Sequence, residues 1–243
     1  MVKEYIVIIT NATPESKYFD QLLAFLTSVQ INSPEHPIHV FLANYPEDVM
    51  ISLQKTFSKF VFENRKIKMI DERGFSLIIF RAELIKECFE KYKEPVAWID
   101  IDVLVRKDLS EFLEIRSNQL KILRRELPPN PGLADAPINA GIFNIGYSEA
   151  SYNFICDWLK GCVTNPVWGQ GQMKLWKSYK KHSNDIELVK MTHTLHDIGG
   201  RERPDAFSNE SVMWHCKSNH FKNPRYQIEY QKYLKIGQDL FKK

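Results

Sequence analysis

The sequence is poor in the features that would mark several protein classes. Its 243 residues include only four cysteines, Cys88, Cys156, Cys162 and Cys216, with no CxxC pair among them. That is too sparse for a disulfide scaffold and predicts reduced thiols in a reducing compartment. No stretch reaches the roughly 18 apolar residues that a bilayer-spanning helix needs. Met1-Val2-Lys3-Glu4 followed by five apolar or aromatic residues does not read as a secretory signal. A cytoplasmic protein is therefore expected, in which Asn11-Ala12-Thr13 and Asn209-Glu210-Ser211 are chance sequons. Neither GxGxxG nor GxxxxGK[ST] occurs, which argues against a Rossmann dinucleotide enzyme and a P-loop phosphate cradle. The net charge is only +3, too small for a dedicated nucleic-acid binder. There is no internal repeat and no low-complexity tract.

What remains is an ordinary globular composition, 44% hydrophobic and 26% charged, long enough to bury a sizeable core. Strands and helices alternate from the start. Tyr5 to Thr10 is a short β-branched run, read as a strand buried on both faces. Thr13, Pro14 and Glu15 then supply a cap, a first-turn proline and a first-turn acid for a helix carrying Leu22, Leu23, Leu26 and Val29 on one face. Further strands are predicted at Ile38 to Ala43, Lys66 to Ile70 and from Pro95, where Val96-Ala97-Trp98-Ile99 is doubly buried. Helices are predicted from about Pro46 to Phe57 and Gly74 to Tyr92. This βαβαβαβ order implies an α/β fold with a parallel sheet and right-handed crossovers.

After residue 105 the pattern loosens. Leu120 to Arg124, Ala140 to Ile145 and Ile186 to Met191 read as strands, and Ser148 to Leu159 and Gln172 to Tyr179 as helices. Thr192 to Ser211 has no periodicity and is expected to be a mobile surface loop. A short apolar stretch, Val212-Met213-Trp214, leads into His215. The chain closes with a basic, aromatic-rich helix from about Pro224 to Phe241. The segment from Lys217 to Lys243 holds seven Lys/Arg against two Asp/Glu, which leaves the preceding residues net negative. A domain over residues 1–223 with this helix (224–243) as an extension is the expected organisation. The helix could pack on the domain or rest on an anionic membrane surface.

Ligands of open α/β sheets bind outside the carboxyl ends of the strands. At such an end stands Trp98-Ile99-Asp100-Ile101-Asp102. In an extended chain, residues two apart share a side, so Asp100 and Asp102 can present two carboxylates together. Two ionised carboxylates that close repel unless a cation sits between them, and a hard divalent metal is the natural partner. Two solvated loop acids would look the same in sequence. Arg81 adds context, because its helical neighbours Leu77, Ile78, Leu84 and Ile85 place it on an apolar face, where a guanidinium needs an anion. From Arg81 to the helix end is about 16 Å, and from Pro95 to Asp100 another stretch of about 16 Å, so the two are expected to be level. The partner would be Asp100 itself or a substrate phosphate.

These residues resemble the DxD region of GT-A glycosyltransferases, and most of all family eight, which includes glycogenin and the bacterial lipopolysaccharide galactosyl- and glucosyltransferases. The resemblance continues in order along the chain. Asn139-Ala140-Gly141 is similar to a strand that touches the donor sugar, and Gln170 falls where the family has a glutamine between two aspartates near the anomeric carbon. Gly169 and Gly171 stand here in place of those aspartates. His215 matches the histidine that supplies a third metal ligand, with His220 close by as the other candidate. Lys222 is near a diphosphate-binding lysine. The resemblance implies a GT-A fold, with a mostly parallel central sheet flanked by helices. It also implies a divalent metal, Mn²⁺ or Mg²⁺, held by Asp100, Asp102 and His215. An imidazole among oxygen ligands favours Mn²⁺.

The donor would be a nucleotide-diphosphate sugar, most simply a UDP-hexose, touched by Arg81, Ile101 and Lys222. Its base and ribose would lie over the first strand's end, where Thr10, Asn11 and Tyr18 are candidate contacts. The acceptor would be a saccharide or a lipid-linked sugar. Two other readings of the same residues exist. A phosphohydrolase of the haloacid dehalogenase type also uses DxD, but it needs Thr or Val where Leu104 stands. A catalytically inactive sugar-nucleotide-binding protein would tolerate Gly169 and Gly171.

Overall fold

A computed structural model describes residues 6–11, 16–36, 38–67, 75–125, 136–164, 170–199, 206–216 and 223–242. Along the chain run β1 (Ile6–Asn11), α1 (Ser16–Asn32), β2 (Ile38–Ala43), α2 (Glu47–Thr56), β3 (Val61–Arg65), α3 (Phe75–Tyr92), β4 (Val96–Ile99) and β5 (Val103–Val105). They are followed by α4 (Ser110–Leu113), β6 (Gln119–Arg124), β7 (Ile138–Ile145), α5 (Glu149–Thr164), α6 (Gly171–Lys181), β8 (Glu187–Lys190), β9 (His196–Gly199), β10 (Met213–Cys216) and α7 (Pro224–Phe241). The chain divides into two interleaved units, one built from Met1–Lys66, Ile99–Glu111 and Thr192–Lys243, the other from Ile67–Trp98 and Phe112–Met191.

In the first unit β1 pairs in parallel with β2, and β2 with β3. The opening β-α-β alternation therefore folds as its pattern predicts. The apolar stripe of α1, Leu22, Leu23, Leu26 and Val29, is buried. Thr13, Pro14 and Glu15, the expected start of this helix, lie outside the described residues. A third strand lies at Val61–Arg65, in register with His39 to Ala43; of the strand expected at Lys66 to Ile70, Lys66 and Ile67 are not in a strand and the rest lies outside the described residues. An edge strand that buries only part of its surface has no need of a continuous apolar run, so Val61-Phe62-Glu63-Asn64-Arg65 carries no strong strand signal.

A second, three-stranded sheet in this unit has the order β5-β10-β9, antiparallel between β5 and β10 and parallel between β10 and β9. Its third strand corrects part of the expected mobile loop over Thr192 to Ser211, of which residues 200–205 lie outside the described residues. Residues 196–199 form β9, with His196 and Asp197 fully buried.

Helix α7 closes the first unit. Asn223 caps it by accepting from the backbone N–H groups of Arg225 (3.0 Å) and Tyr226 (3.3 Å), with Pro224 in the first turn. Tyr226, Tyr230, Tyr233 and Leu234 are buried. Gly237 allows α7 to approach α1, since a Cβ there would lie 2.6 Å from Thr27 Oγ1. The aromatic face is thus used in packing, and Arg106 ties the helix down by pairing with Glu229 and covering the ring of Trp214 at 4.4 Å.

In the second unit the strand order is β4-β7-β6-β8, with β6 antiparallel to β7 and parallel to β8. A register shift between Ile122 and Leu123 bends the β6–β7 ladder. Helices α5 and α6 are joined by Trp158 Nε1 donating to Gly171 O (3.1 Å) and Ser178 Oγ to Phe154 O (2.8 Å). Among the described residues no helix is long and apolar enough to cross a membrane.

Candidate metal centre

The expected extended strand through Asp100 and Asp102 is interrupted. β4 ends at Ile99, β5 begins at Val103, and Ile101–Asp102 form a turn between strands of different sheets. The two carboxylates are therefore gathered by a turn and not by strand alternation. Two donors pin that turn through the backbone carbonyl of Asp102. One is Cys216 N at 3.1 Å and the other is the Tyr226 hydroxyl at 3.2 Å. The first follows from the antiparallel register that sets His215 opposite Val103. The same register carries the His215 side chain to Asp102.

The outcome is a compact group of ligand atoms. One atom from each of Asp100, Asp102 and His215 lies within 4.8 Å of the others. Both aspartates are half-buried, while His215 is fully buried. His215 Nε2 stands 3.2 Å from Asp102 Oδ1. Nevertheless, Nε2 has no hydrogen-bond partner among the described residues. A bare ring nitrogen beside a carboxylate oxygen is a poor arrangement alone and a good one around a cation. Two carboxylates and an imidazole fit a divalent ion, and the nitrogen favours Mn²⁺ over Mg²⁺.

The negative field of Asp102 reaches other groups. Burial first, and then the nearby carboxylate, push the Cys216 thiol far above its ordinary range. The Tyr226 phenol is raised by burial and by Cys216 and Asp102. Both remain neutral, so neither competes with the carboxylates for a cation.

Behind His215 lies a second buried histidine. His196 Nε2 is 3.0 Å from His215 Nδ1, and the rings stack at 5.2 Å with an interplanar angle of 21°. On the opposite face of β9, Asp197 Oδ2 accepts from the backbone N–H groups of Phe207 (2.9 Å) and Ser208 (2.8 Å) and from the Ser211 hydroxyl (2.8 Å). Asp197 thereby fastens the loop that leads into β10. Neither residue is legible in the sequence. A four-residue strand with two ionisable side chains has no apolar periodicity to find.

Other predicted residues lie in the second unit. Arg81 donates to Ala140 O at 2.6 Å and lays its guanidinium over Trp98 at 4.3 Å. Ala140 N in turn donates to Gln172 Oε1 (2.9 Å), a contact with no signal in the sequence. Asn139 is fully buried and accepts from Gly141 N through Oδ1 at 2.9 Å. Gln170 is half-buried at the N-cap of α6 and makes no capping bond through its side chain. A Cβ on Gly171 would lie 2.7 Å from Ile78 Cγ2, so Ile78 occupies the space a larger residue would need.

In the first unit Thr10 and Asn11 are at the carboxyl end of β1, paired with Phe41 and Leu42. Tyr18 is at the exposed edge of α1 and Ile101 is buried between the two aspartates. Lys222, His220 and Gly169 lie outside the described residues.

No family model and no curated protein matches the chain. Solved structures do. The glycosyltransferase GlyE of Streptococcus pneumoniae TIGR4 aligns with 98% of this chain at a TM-score of 0.64 and 14% identity. The chain spans 62% of the length of that structure. A glycosyltransferase involved in glycosylating the major capsid of PBCV-1 aligns with 94% of the chain and 98% of its own length, at 0.55 and 12% identity. The galactosyltransferase LgtC, solved with donor and acceptor sugar analogues, aligns with 97% of the chain and 95% of its own length, at 0.58 and 13% identity. The chain thus has the fold of these glycosyltransferases, the GT-A type.

Proposed function

We propose that the protein is a metal-dependent glycosyltransferase that moves a hexose from a nucleotide-diphosphate sugar, most simply a UDP-sugar, to a saccharide or lipid-linked acceptor. The observation that carries this reading is the Asp100–Asp102–His215 group, in a chain with a glycosyltransferase fold. Asp100, Asp102 and His215 would hold a divalent cation. That cation supplies the positive charge that stabilises a departing nucleoside diphosphate.

The chain's own residues divide the remaining work. Arg81 and Lys222 add positive charge toward the diphosphate. Asn139, Ala140 and Gly141 form the strand against which the sugar lies, and Gln170 offers an amide near the reacting carbon. Thr10, Asn11 and Tyr18 contact the base and ribose. The chain works on the cytoplasmic side, and the exposed Arg225, Lys232 and Lys235 of α7 suit peripheral contact with an anionic membrane face.

One specific observation favours a second reading, a sugar-nucleotide-binding protein without transfer activity. Ile78 fills the space beside Gly171, where the resembling enzymes carry an aspartate.

A single panel separates the two: thermal shift and nucleoside diphosphate release with UDP-, GDP- and CDP-sugars, in Mn²⁺ or in chelator, for the wild type and Asp102→Asn. The transferase reading expects Mn²⁺-dependent stabilisation and release, both lost in the variant. Stabilisation that persists in chelator or in Asp102→Asn rejects a metal-bridged donor. Metal-dependent binding without release, with acceptors supplied, selects the second reading.

A further inference from the structure

Resting on the transferase reading above for the identity of the ligand, we infer that Arg124, Trp176, Lys177 and Lys180 form a platform for the acceptor, and that this acceptor is a negatively charged oligosaccharide. All four residues belong to the second unit, Arg124 at the end of β6 and the others on α6. Trp176 and Lys180 are four residues apart, and Lys177 and Lys180 three, so they are neighbours on the helix surface. Arg124 Cζ and Lys180 Nζ lie 5.8 and 5.7 Å from the centre of the Trp176 ring. Tyr179, itself buried, stacks with that ring at 5.4 Å and 27° and steadies the indole.

The charge of this surface is unbalanced. Helix α6 carries four lysines and no acid. Lys181 pairs with Asp157 of α5 at 3.4 Å, but Arg124, Lys177 and Lys180 are exposed and have no ion pair among the described residues. Elsewhere in the same unit the exposed Arg116 finds a carboxylate, Glu187, at 2.7 Å. Three cations grouped around one aromatic side chain repel one another, and an anion relieves that repulsion. Trp176 is half-buried, and its indole N–H has no hydrogen-bond partner among the described residues. An indole can pack on the C–H surface of a sugar and donate to a hydroxyl, while the three cations pair with carboxylate or phosphate groups. A lipid surface fits less well, because none of the exposed large apolar side chains lies on α6 to enter it.

The helix also links this surface to the proposed reaction site. Gln170, assigned above to the reacting carbon, is the N-cap of α6. Lys177 stands seven residues further on, about two turns and roughly 10 Å along the axis, on the same side of the helix. An acceptor whose end lies at Gln170 can therefore run along α6 and meet the platform with its more distant sugars.

The test is titration calorimetry on the full chain in chelator, with tetragalacturonate, a phosphorylated maltotetraose, neutral maltotetraose and inorganic triphosphate as probes. At least one of the two charged saccharides should bind, more weakly as salt rises. The loss should be roughly 10–100-fold in Lys177→Gln/Lys180→Gln and in Arg124→Gln, the range for bonds to charged groups. Trp176→Ala should weaken the saccharide but not triphosphate, and Trp176→Phe should restore most of the affinity. No binding of either charged saccharide, equal binding of neutral maltotetraose, or equal binding in the variants overturns the inference. Sedimentation with phosphatidylglycerol vesicles that the same variants abolish, without saccharide binding, would assign the surface to a membrane instead. These titrations use neither donor nor metal. Platform-dependent binding in a protein that releases no nucleoside diphosphate from any donor would reject the transferase reading and leave the saccharide site standing. Metal-dependent transfer to neutral acceptors, equal in wild type and the platform variants, would do the reverse.

Discussion

Strands β7 and β10 both carry fully buried polar side chains, and they satisfy them in opposite ways. On β7, Asn144 donates from Nδ2 to the backbone carbonyls of Phe112 and Leu113, both at 3.1 Å, while Asn139 accepts from Gly141 N. The bonds these amides make run to backbone and hold chain to chain, while Asn139 Nδ2 and Asn144 Oδ1 have no hydrogen-bond partner among the described residues. On β10, His215 instead meets two side chains, His196 on one nitrogen and Asp102 near the other. Buried polar groups that answer to backbone are architecture. Buried polar groups that face one another's charge are expensive unless a further partner joins them, and this contrast marks the candidate metal centre.

The comparison can be broken by substitution. The largest effect should come from Asp102→Ala, which removes a ligand without touching β7. Nucleoside diphosphate release should fall by about 10³-fold, roughly 4 kcal/mol of barrier, with urea stability nearly unchanged. Comparable release in wild type and variant, read by a coupled nucleotide assay, would erase the distinction between the strands.

Next is Asp197→Ala, which strands three donors that now converge on one carboxylate oxygen. Equilibrium urea unfolding should report a loss of about 3 kcal/mol or more, at about 1–3 kcal/mol for each buried unsatisfied group. Mn²⁺ affinity should fall too, because the loop into β10 loses its anchor.

Asn144→Ala should cost about 1–3 kcal/mol in the same unfolding experiment. Here Mn²⁺ affinity should not change. A variant that lost metal binding along with stability would show that β7 is not the purely structural partner in this pair.

The smallest effect concerns a surface pair, away from both strands. Asp157 is hydrogen-bonded by His182 at 3.1 Å, and this bond, more than the opposing burial, holds its carboxyl below the ordinary value of 3.8. A depressed carboxylate stabilises the fold above the unfolded pKa and loses that contribution as pH falls through its lower folded value. Asp157→Asn should therefore cost at most about 1 kcal/mol near neutrality after solvent screening. The gap to wild type, followed by thermal melts across acid pH, should close as the pH drops below that folded value.

Some of this was legible from residue order and some was not. The doubly buried Val96-Ala97-Trp98-Ile99, the amphipathic stripe of α1 and the start of α7 at Pro224 follow from local pattern, and each is where it was expected. Asp100 and Asp102 were visible as a pair, although the turn that gathers them was not, because two short strands in different sheets read in sequence as one. The unforeseen strand at Val61–Arg65 and the missed β9 share a cause. Short strands stabilised by their neighbours need little intrinsic signal, so periodicity passes them by.

The sequence by itself determined the α/β alternation, the acidic pair and the family resemblance, since these depend on residues close in the chain. Only tertiary structure brought His215 to the pair and set what stands behind it. The β5–β10 register sets His215 opposite Val103, and the β10–β9 register brings His196 to its far nitrogen. Register between distant strands is selected by packing and backbone hydrogen bonding across the whole unit, which no local stretch of residues encodes.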